Sequence, residues 1–500
     1  MRHQFIIALL STAALASAQV PPPVPEKKPG TPTAVAAPKP IKIGNIVVNG
    51  SVRTRVYDWD WFVPAAGDNS YGYSGTQARI SFSERLAHWD WTTEFELPMI
   101  LGLPSNATAA APQGALGLGS NYYTANSNQQ NTAMLFAKQA FIRLRGVGGG
   151  EASFLKIGRF EFLDGSELTP KNATLVAVKR DRVAQRLLAS FGWSETGRSF
   201  DGVHYSWSRA NDNLTIIAAV PTRGAFQVDG WGELKVATGY AAYTHQSGKG
   251  RHVADTRAFF LEYDDYRHIL KTDDRAVAVR RGDLQNIRIE TFGGHSIHAI
   301  TTNAGVVDLL AFGAVQTGRW GYQKQRAGTL DLEAGFQPTI LTRLKPWLRG
   351  GYTWGSGDKN PNDSTHGTFF QVLPTPRPYA RMPFFNMMNT EDTYGSLVLR
   401  PHSKITTSTE FHSVRLSSAT DLWYSGGGAF QPQTFGYAGR STSGRRSLAD
   451  LYDTSVEYRF HQKLTVTGYF GYAQGLAAMQ QIYPKGKDGK FGYIEFLTRF

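Results

Sequence analysis

The sequence predicts an all-β fold: a transmembrane antiparallel β-barrel of about eighteen strands, with short periplasmic turns and long extracellular loops. Three observations predict it. Segments of about ten residues that alternate apolar and polar side chains recur along the chain. The connections between these segments alternate between short and long, and beyond the N-terminal region no run of about 18 apolar residues could form a transmembrane helix.

The alternation is clear in the first segment, NIVVNGSVRTRVY, which starts at residue 45. Val48, Val52 and Val56 fall on one face, whereas Arg53 and Arg55 fall on the other. In a barrel the apolar face meets lipid and the polar face meets the lumen. On this basis we predict strands near residues 45–57, 75–86, 89–99, 134–145, 153–163, 198–208, 212–221, 235–247, 254–265, 285–294, 305–316, 328–338, 345–355, 391–400, 403–414, 450–460, 463–473 and 491–500.

The connections after even-numbered strands are short, such as AH at 87–88, whereas those after odd-numbered strands are long. This is the layout of an outer-membrane barrel with both ends of the chain in the periplasm. The last segment, GKFGYIEFLTRF, also alternates, and Phe500 falls on its apolar face. A closed barrel pairs its last strand with its first, so we expect Phe500 to lie within the sheet. A soluble β-sandwich or propeller would also alternate, but the chain shows no repeat of about 40 residues.

The N-terminal region predicts export. A basic start, the apolar run FIIALLSTAAL and the motif Ala16-Ser17-Ala18 indicate a signal peptide over residues 1–18. The proline-rich residues 19–43 indicate an extended periplasmic tether, a segment through which a periplasmic partner could bind. Residues 44–500 then form the barrel, integral to a bacterial outer membrane.

Composition limits the chemistry and the partners. The chain has no cysteine, which excludes disulfides and thiolate metal sites. Its formal net charge of +13 favours anionic partners, among them lipopolysaccharide and acidic sugars. We expect outer-membrane lipid as a partner and no nucleic acid, no cofactor and no metal.

Three motifs indicate a family. IGRFEF from residue 157, RSFDGV from residue 198 and YTWGSGD from residue 352 occur in order between strand segments. This arrangement resembles the alginate export family of outer-membrane porins. The resemblance implies an eighteen-stranded monomeric barrel with an electropositive lumen that passes the polyuronate alginate. It also implies that Arg159, Arg198 and Asp201 line the constriction, although Asp201-Gly202 could equally be a turn.

Strand parity gives a separate set of lumen residues. Arginine suits carboxylate ligands because its planar guanidinium can donate two hydrogen bonds at once. Both signs of charge occur on the polar parity, so many of these groups are expected to pair. The site residues predicted from parity are Arg53, Arg55, Arg79, Arg143, Arg288, Arg349 and Glu410.

Aromatic residues at strand ends, among them Trp59, Trp61, Trp89 and Trp354, are expected to form the interfacial girdles.

Other motifs predict less. We expect KRDR at 179–182 with Arg186 to be a solvated charge run, the alternatives being a lipid-phosphate site or a helix folded into the pore. The loop at Asp358 has calcium-like spacing but lacks the glycine and glutamate of a calcium loop. Ser408 and His412 share a strand face but are too far apart for a catalytic hydrogen bond.

The sequence therefore predicts an outer-membrane channel that passes an anionic, alginate-like polysaccharide or oligosaccharide through an arginine-rich lumen. The alternative is a general or nutrient-specific porin for small solutes. A barrel enzyme and a soluble glycan-binding β protein are less favoured, and we expect the protein not to be an enzyme.

Overall fold

The eighteen predicted strands are present and close into one antiparallel barrel. The structure is a computed structural model that describes residues 41–150 and 152–500. The predicted signal peptide and nearly all of the predicted tether lie outside the described residues. Each predicted strand overlaps an observed one, so the fold prediction is confirmed. The barrel strands are β1 (Ile46–Asp60), β2 (Ser70–Arg85), β3 (Trp89–Leu101), β4 (Phe136–Arg145), β5 (Phe154–Phe160), β6 (Phe200–Arg209), β7 (Asp212–Pro221), β8 (Val236–Lys249), β9 (His252–Asp265), β10 (Ile287–Thr301), β11 (Gly305–Trp320), β12 (Ala327–Pro338), β13 (Trp347–Gly355), β14 (Thr390–His402), β15 (Ile405–Leu416), β16 (Ser447–His461), β17 (Leu464–Gly475) and β18 (Gly489–Arg499).

Each strand pairs with its neighbour in sequence, and β18 pairs with β1 to close the barrel. Phe500 continues this seam. Its N–H donates to the Gly50 carbonyl and the Gly50 N–H donates to the Phe500 carbonyl, each at 3.0 Å. The Phe500 ring lies directly over Gly50, where a side chain would leave it no room. The aromatic residue therefore completes the sheet, as its parity predicts.

The connections alternate as predicted. One end of the barrel carries the short turns, from two residues (403–404) to eight (339–346), and the other end carries the loops. The longest loops are 102–135, 161–199, 356–389 and 417–446. The loops contain the helices α1 (Leu118–Ala125), α2 (Ala173–Val178), α3 (Val277–Gly282) and α4 (Ala477–Ile482), a π-helix (Lys179–Val183), and the short strands Thr132–Ala133, Gln323–Gln325, Thr365–His366, Trp423–Gly426 and Tyr437–Arg440. A further short strand, Ile41–Ile43, pairs with the start of β1.

Two of the long loops fold into the barrel and pair with each other. Leu188 and Leu373 form a parallel bridge, and the Ala189 N–H donates to the Leu373 carbonyl at 2.8 Å. Their apolar side chains, such as Leu187 and Phe370, are buried against the inner faces of the strands. The barrel therefore has a packed interior core on its loop side.

Strand parity separates two faces. Val52, Ile80 and Phe470 are exposed on the outer face, where a bilayer would cover them. Trp89 and Trp354 also point outward, as girdle residues should, but Trp59 and Trp61 are buried inside the barrel. The prediction for these two residues was wrong because the loops create an apolar interior at this end. Among the described residues no helix is long and apolar enough to cross a membrane.

Candidate transport site

The wall formed by β1 carries two of the predicted arginines. Arg53 donates to the carbonyl of Gly192 at 2.8 Å and lies 3.6 Å from the Glu195 carboxylate. The Arg55 Nε donates to Glu495 on β18 at 2.7 Å, and its guanidinium lies 3.5 Å from Glu195. These arginines therefore bind the inward loop 161–199 to the barrel wall.

Arg79 on β2 is surrounded by carboxylates. Its guanidinium lies 2.7 Å from Glu96, 3.0 Å from Glu161 and 3.3 Å from Glu94. Lys138 is fully buried beside the same carboxylates, 3.6 Å from Glu161. This part of the lumen therefore carries little net positive charge.

The opposite wall repeats the pattern with loop arginines. Arg349 on β13 lies 2.6 Å from Glu333 on β12, and Arg182 of the loop lies 2.8 Å from the same carboxylate. Arg186 of the loop donates to Asp331, also on β12. Lys179, Arg182 and Arg186 are therefore buried anchors, so the expectation of a solvated charge run was wrong for them and the pore-folded helix is correct. The aromatic rings of Phe312 and Tyr379 pack on Arg186 and stabilise the cation.

Three of the predicted site residues lie on the outer face. Arg159 on β5 and Asp201 on β6 form a bidentate ion pair at 2.6–2.7 Å. They share parity with Ile157 and Val203, which are exposed toward the membrane, so they do not line a constriction. Arg288 pairs with Glu262 at 2.7 Å and shares parity with the exposed Phe292. Its parity was misread because the first residues of β10 turn their apolar side chains inward, under the loops.

The remaining predicted residues face the interior. Arg143 on β4 pairs with Asp90 at 2.9 Å and is partly exposed in the lumen. Arg198, at the end of loop 161–199, is fully buried and donates only to carbonyls, those of Ala189, Leu373 and Gly427. Glu410 on β15 accepts a hydrogen bond from Ser408 at 3.0 Å.

A cleft that sequence reasoning missed opens on the loop side of the barrel. It lies between the loops and the ends of β1 and β18 and has a cavity volume of about 40 Å³. We call it the entrance cleft. Its aromatic walls and its cationic groups come from different loops, so no single segment reveals it. The aromatic and cationic residues that line it are Trp59, Trp61, Phe191, Trp193, Phe226, Trp423, Phe491, Arg377, Arg381 and Arg440.

The entrance cleft has an aromatic wall. The rings of Trp59 and Trp61 stack with centroids 5.1 Å apart, and Phe491 packs on Trp59 at 4.4 Å. On the facing side the Arg440 guanidinium lies over the Trp423 ring at 5.1 Å. A cleft of this kind offers flat apolar faces beside hydrogen-bond donors.

Its arginines differ from those of the barrel wall because they lack acidic partners. Arg377 donates to the carbonyls of Arg381 and Phe385, at 3.1 and 3.3 Å. Arg440 donates to the carbonyls of Gln113 and Ala115 and to the Ser425 hydroxyl. Within residues 41–150 and 152–500, no carboxylate lies within ion-pair distance of Arg377, Arg381 or Arg440.

Burial has a measurable cost for such cations. It lowers the pKa of Arg377 to about 10, because the guanidinium is desolvated and its hydrogen bonds go to neutral carbonyls. Arg198, in the same situation, also has its pKa lowered to about 10 by burial. An anion that entered the cleft would relieve this desolvation, and it could bind Arg377 or Arg440 without displacing an acidic partner.

Sequence reasoning missed the cleft because it treated the long loops as solvated. A signal was present: the loop 356–389 contains FFQVLPTPRPYARMPFFNMMN, which is too apolar for a solvent-exposed connection. Asp358, in the same loop, is buried, and its carboxylate accepts the N–H groups of Asn360 and Gly367. The inward folding of this loop explains both observations.

A closed barrel of eighteen strands with charged residues along its lumen defines an outer-membrane channel of the porin class. A family model described as "Alginate export" matches residues 66–474, so the chain belongs to the alginate export family. No curated protein matches the sequence.

Solved structures of outer-membrane porins share the fold. Acinetobacter baumannii OccAB2 matches with a TM-score of 0.56 at 8% identity, over 92% of this chain and 98% of the other. OccAB4 from the same organism matches with a TM-score of 0.54, and OpdK from Pseudomonas aeruginosa with 0.51, both at 8% identity over 91% of this chain and 98% of theirs. At such low identity these similarities establish the fold alone.

Proposed function

We propose that this channel passes anionic saccharides of the alginate type, and that the entrance cleft is where their carboxylates first bind. The observation that carries the proposal is the set of three cleft arginines without acidic partners, Arg377, Arg381 and Arg440, beside aromatic faces. Guanidinium groups bind carboxylates, and aromatic rings pack on the apolar face of a sugar ring. A uronate unit carries both features.

Beyond the cleft, the lumen carries less free positive charge than strand parity predicts. The wall arginines Arg53, Arg55, Arg79 and Arg349 are already bound to carboxylates, so they contribute little field to a passing anion. In this proposal those ion pairs position the loops. The cleft arginines Arg377, Arg381 and Arg440 attract the substrate. Covalent chemistry plays no part in it: Ser408 bonds Glu410 and not His412, so no Ser–His pair is formed there.

Small carboxylated solutes are a second candidate, supported by one observation. The loops 161–199 and 356–389 fold into the lumen and pair with each other, which narrows the path available to a polymer. A lumen narrowed by these two loops would pass monomers and short oligomers more readily than long chains. We also propose a monomeric channel, because the chain closes the barrel with its own strands.

Planar-bilayer recording tests the proposal. We expect anion selectivity from the reversal potential in a KCl gradient, and block by short oligouronates but not by neutral maltodextrins of equal length. Arg377→Gln and Arg440→Gln should each weaken oligouronate block by about tenfold, since each removes one charge-assisted contact of roughly 1.5 kcal/mol. Arg445→Gln is the matched control, because Arg445 is exposed in the same loop as Arg440 and lies outside the cleft.

Two outcomes would contradict the proposal: a cation-selective wild-type channel, or equal block by charged and neutral oligomers. Liposome permeation with uronates of increasing length separates the two candidates. Uptake that stops after the shortest oligomers favours the small-solute porin, whereas block and passage by long chains favours the polysaccharide channel.

A further inference from the structure

Three potential metal ligands converge on the inner face of two neighbouring strands. Glu410 on β15 is directly opposite Asp453 on β16 in the strand register, and His412 follows Glu410 by two residues on the same face. One ligand atom from each residue lies within 4.8 Å of the other two. The sequence could not show this, since only the pairing of β15 with β16 brings Asp453 to the other two.

Each of the three side chains has its second polar atom held by a neighbour. The His412 Nδ1 lies 2.8 Å from the Asp392 carboxylate, and the Tyr469 hydroxyl donates to Asp453 Oδ1 at 2.7 Å. The Ser408 hydroxyl donates to Glu410 Oε1 at 3.0 Å. Outer contacts of this kind orient the ligands of metal sites and fix the histidine tautomer.

The atoms left over point at one another without partners. His412 Nε2 and Asp453 Oδ2 have no hydrogen-bond partner among the described residues, although His412 is fully buried and Asp453 is 4% exposed. Glu410 Oε2 lies 3.8 Å from His412 Nε2, beyond hydrogen-bond distance. Buried polar atoms gain from a partner, and an ion held between the three residues would supply one to both of these atoms.

The charge balance supports a cationic occupant. Other buried lumen carboxylates, such as Glu96 and Glu333, have arginine or lysine nitrogens within 4 Å. In the part of the chain that the structure describes, neither Glu410 nor Asp453 has such a partner. Arg381, which reaches down from the entrance cleft, lies over the Tyr469 ring at 5.2 Å and acts on both carboxylates from beyond ion-pair distance.

We infer that Glu410, His412 and Asp453 form a binding site for a divalent transition-metal ion, with zinc as the best match. One imidazole nitrogen and two carboxylate oxygens suit zinc, with bonds of about 2.0–2.2 Å. Ligand atoms around a tetrahedral ion of that size are about 3.4 Å apart, so the 3.8 Å between Glu410 and His412 needs only a small adjustment. The fourth position faces the lumen beside Glu410, which is partly exposed.

The inference is independent of what the channel transports. A bound dication would neutralise the charges of Glu410 and Asp453, near Arg381 of the entrance cleft. It would also tie β15 to β16 through side chains.

Zinc binding by the purified, detergent-solubilised protein without a polyhistidine tag tests the inference. After incubation with zinc and dialysis, elemental analysis should find about one ion per wild-type chain. His412→Gln, Asp453→Asn and Glu410→Gln should each reduce this to background. Asp392→Asn should weaken zinc binding by about 10–100-fold, because it removes only the group that positions His412.

His298→Gln is the matched control. His298 faces His252 on the outer face, with 3.1 Å between ring nitrogens, and that exposed pair could bind zinc adventitiously. We expect this variant to keep the wild-type zinc content. Heat-modifiable electrophoretic mobility shows which variants form the barrel, and if Asp453→Asn does not, the partly exposed Glu410 still provides a test.

Three results would overturn the inference: no zinc in the wild type, zinc lost from His298→Gln alone, or zinc retained by folded His412→Gln and Glu410→Gln. The first would mean that a protonated His412 between Asp392 and Glu410 neutralises the cluster on its own. Cobalt substitution adds a second readout, since its visible absorption should change in His412→Gln when the nitrogen ligand is lost.

Discussion

Replacing Arg186 should release the loop 161–199 from the barrel wall. Arg186 is 1% exposed and donates to Asp331, whose side chain is fully buried. In Arg186→Met the rings of Phe312 and Tyr379 keep an apolar neighbour of similar length, but Asp331 retains only the Thr353 hydroxyl at 3.0 Å. Leaving one charge of a buried pair without its partner costs about 3–5 kcal/mol.

The lost ion pair destabilises only the state in which the loop is bound to the barrel wall. When the loop is released, water can hydrate the Asp331 carboxylate. A change of about 3 kcal/mol shifts the balance between anchored and released loop by roughly 100-fold. We therefore expect higher and noisier single-channel conductance, together with faster tryptic cleavage at Lys179–Arg182. The barrel itself should still form, since its hydrogen-bond ladders do not involve Arg186.

Arg180→Met is the matched control, because Arg180 lies in the π-helix that precedes Arg186 in the same loop. Arg180 is half-exposed and pairs only with its neighbour Asp181, and such a surface pair contributes about 0–1 kcal/mol. The double variant Arg186→Met with Asp331→Asn should recover the anchored loop, because it also removes the buried charge. Wild-type conductance and protease resistance in Arg186→Met, or equal effects in Arg180→Met, would refute the reasoning.

Three further predictions concern the sheet, the membrane face and the loops. Deletion of Phe500 should impair barrel assembly more than Gly50→Ala, since the deletion removes two backbone hydrogen bonds whereas the added methyl group only displaces the Phe500 ring, and equal heat-modifiable mobility would contradict it. Leu397→Arg on the outer face should cost about 2–4 kcal/mol in urea unfolding, and Ser396→Arg on the lumen face should cost less. Burial and the nearby carboxylates Asp421 and Asp358 raise the pKa of Asp274 to about 8, so its stabilising contribution is lost as pH rises toward that value. Proteolysis of the loops should therefore increase between about pH 4 and pH 8 in the wild type but not in Asp274→Asn, and equal profiles would count against this explanation.

The strands were predictable because their signal is local. The alternation around Val52 and Arg53 follows from the two faces of a single strand and needs no knowledge of its neighbours. The long-short order of the connections then gave the topology, since antiparallel neighbours in a barrel must alternate ends. Closure alone places Phe500 within the sheet, whereas its pairing with Gly50 depends on the strand register.

The site was less predictable because it depends on contacts between distant segments. Strand parity assigned Arg288 to the wrong face, because the inward-folded loops bury apolar side chains on the lumen side of β10. The family resemblance placed Arg159 and Asp201 in the lumen, whereas they lie on the outer face. The entrance cleft joins side chains of several loops, and Glu410 meets Asp453 only through strand register. Neither arrangement has a sequence signal at short range.

The seam between β1 and β18 constrains how the chain can fold. The ion pair between Arg55 and Glu495 joins residues 440 positions apart, and the whole ladder beside it has similar separations. Such pairing must wait until the far end of the sequence has arrived, so we expect closure to be slow because it joins distant segments. Until then β1 presents an unpaired edge that another chain could occupy. A holding chaperone that shields this edge should therefore raise the yield of native barrel more than one that acts on the loops.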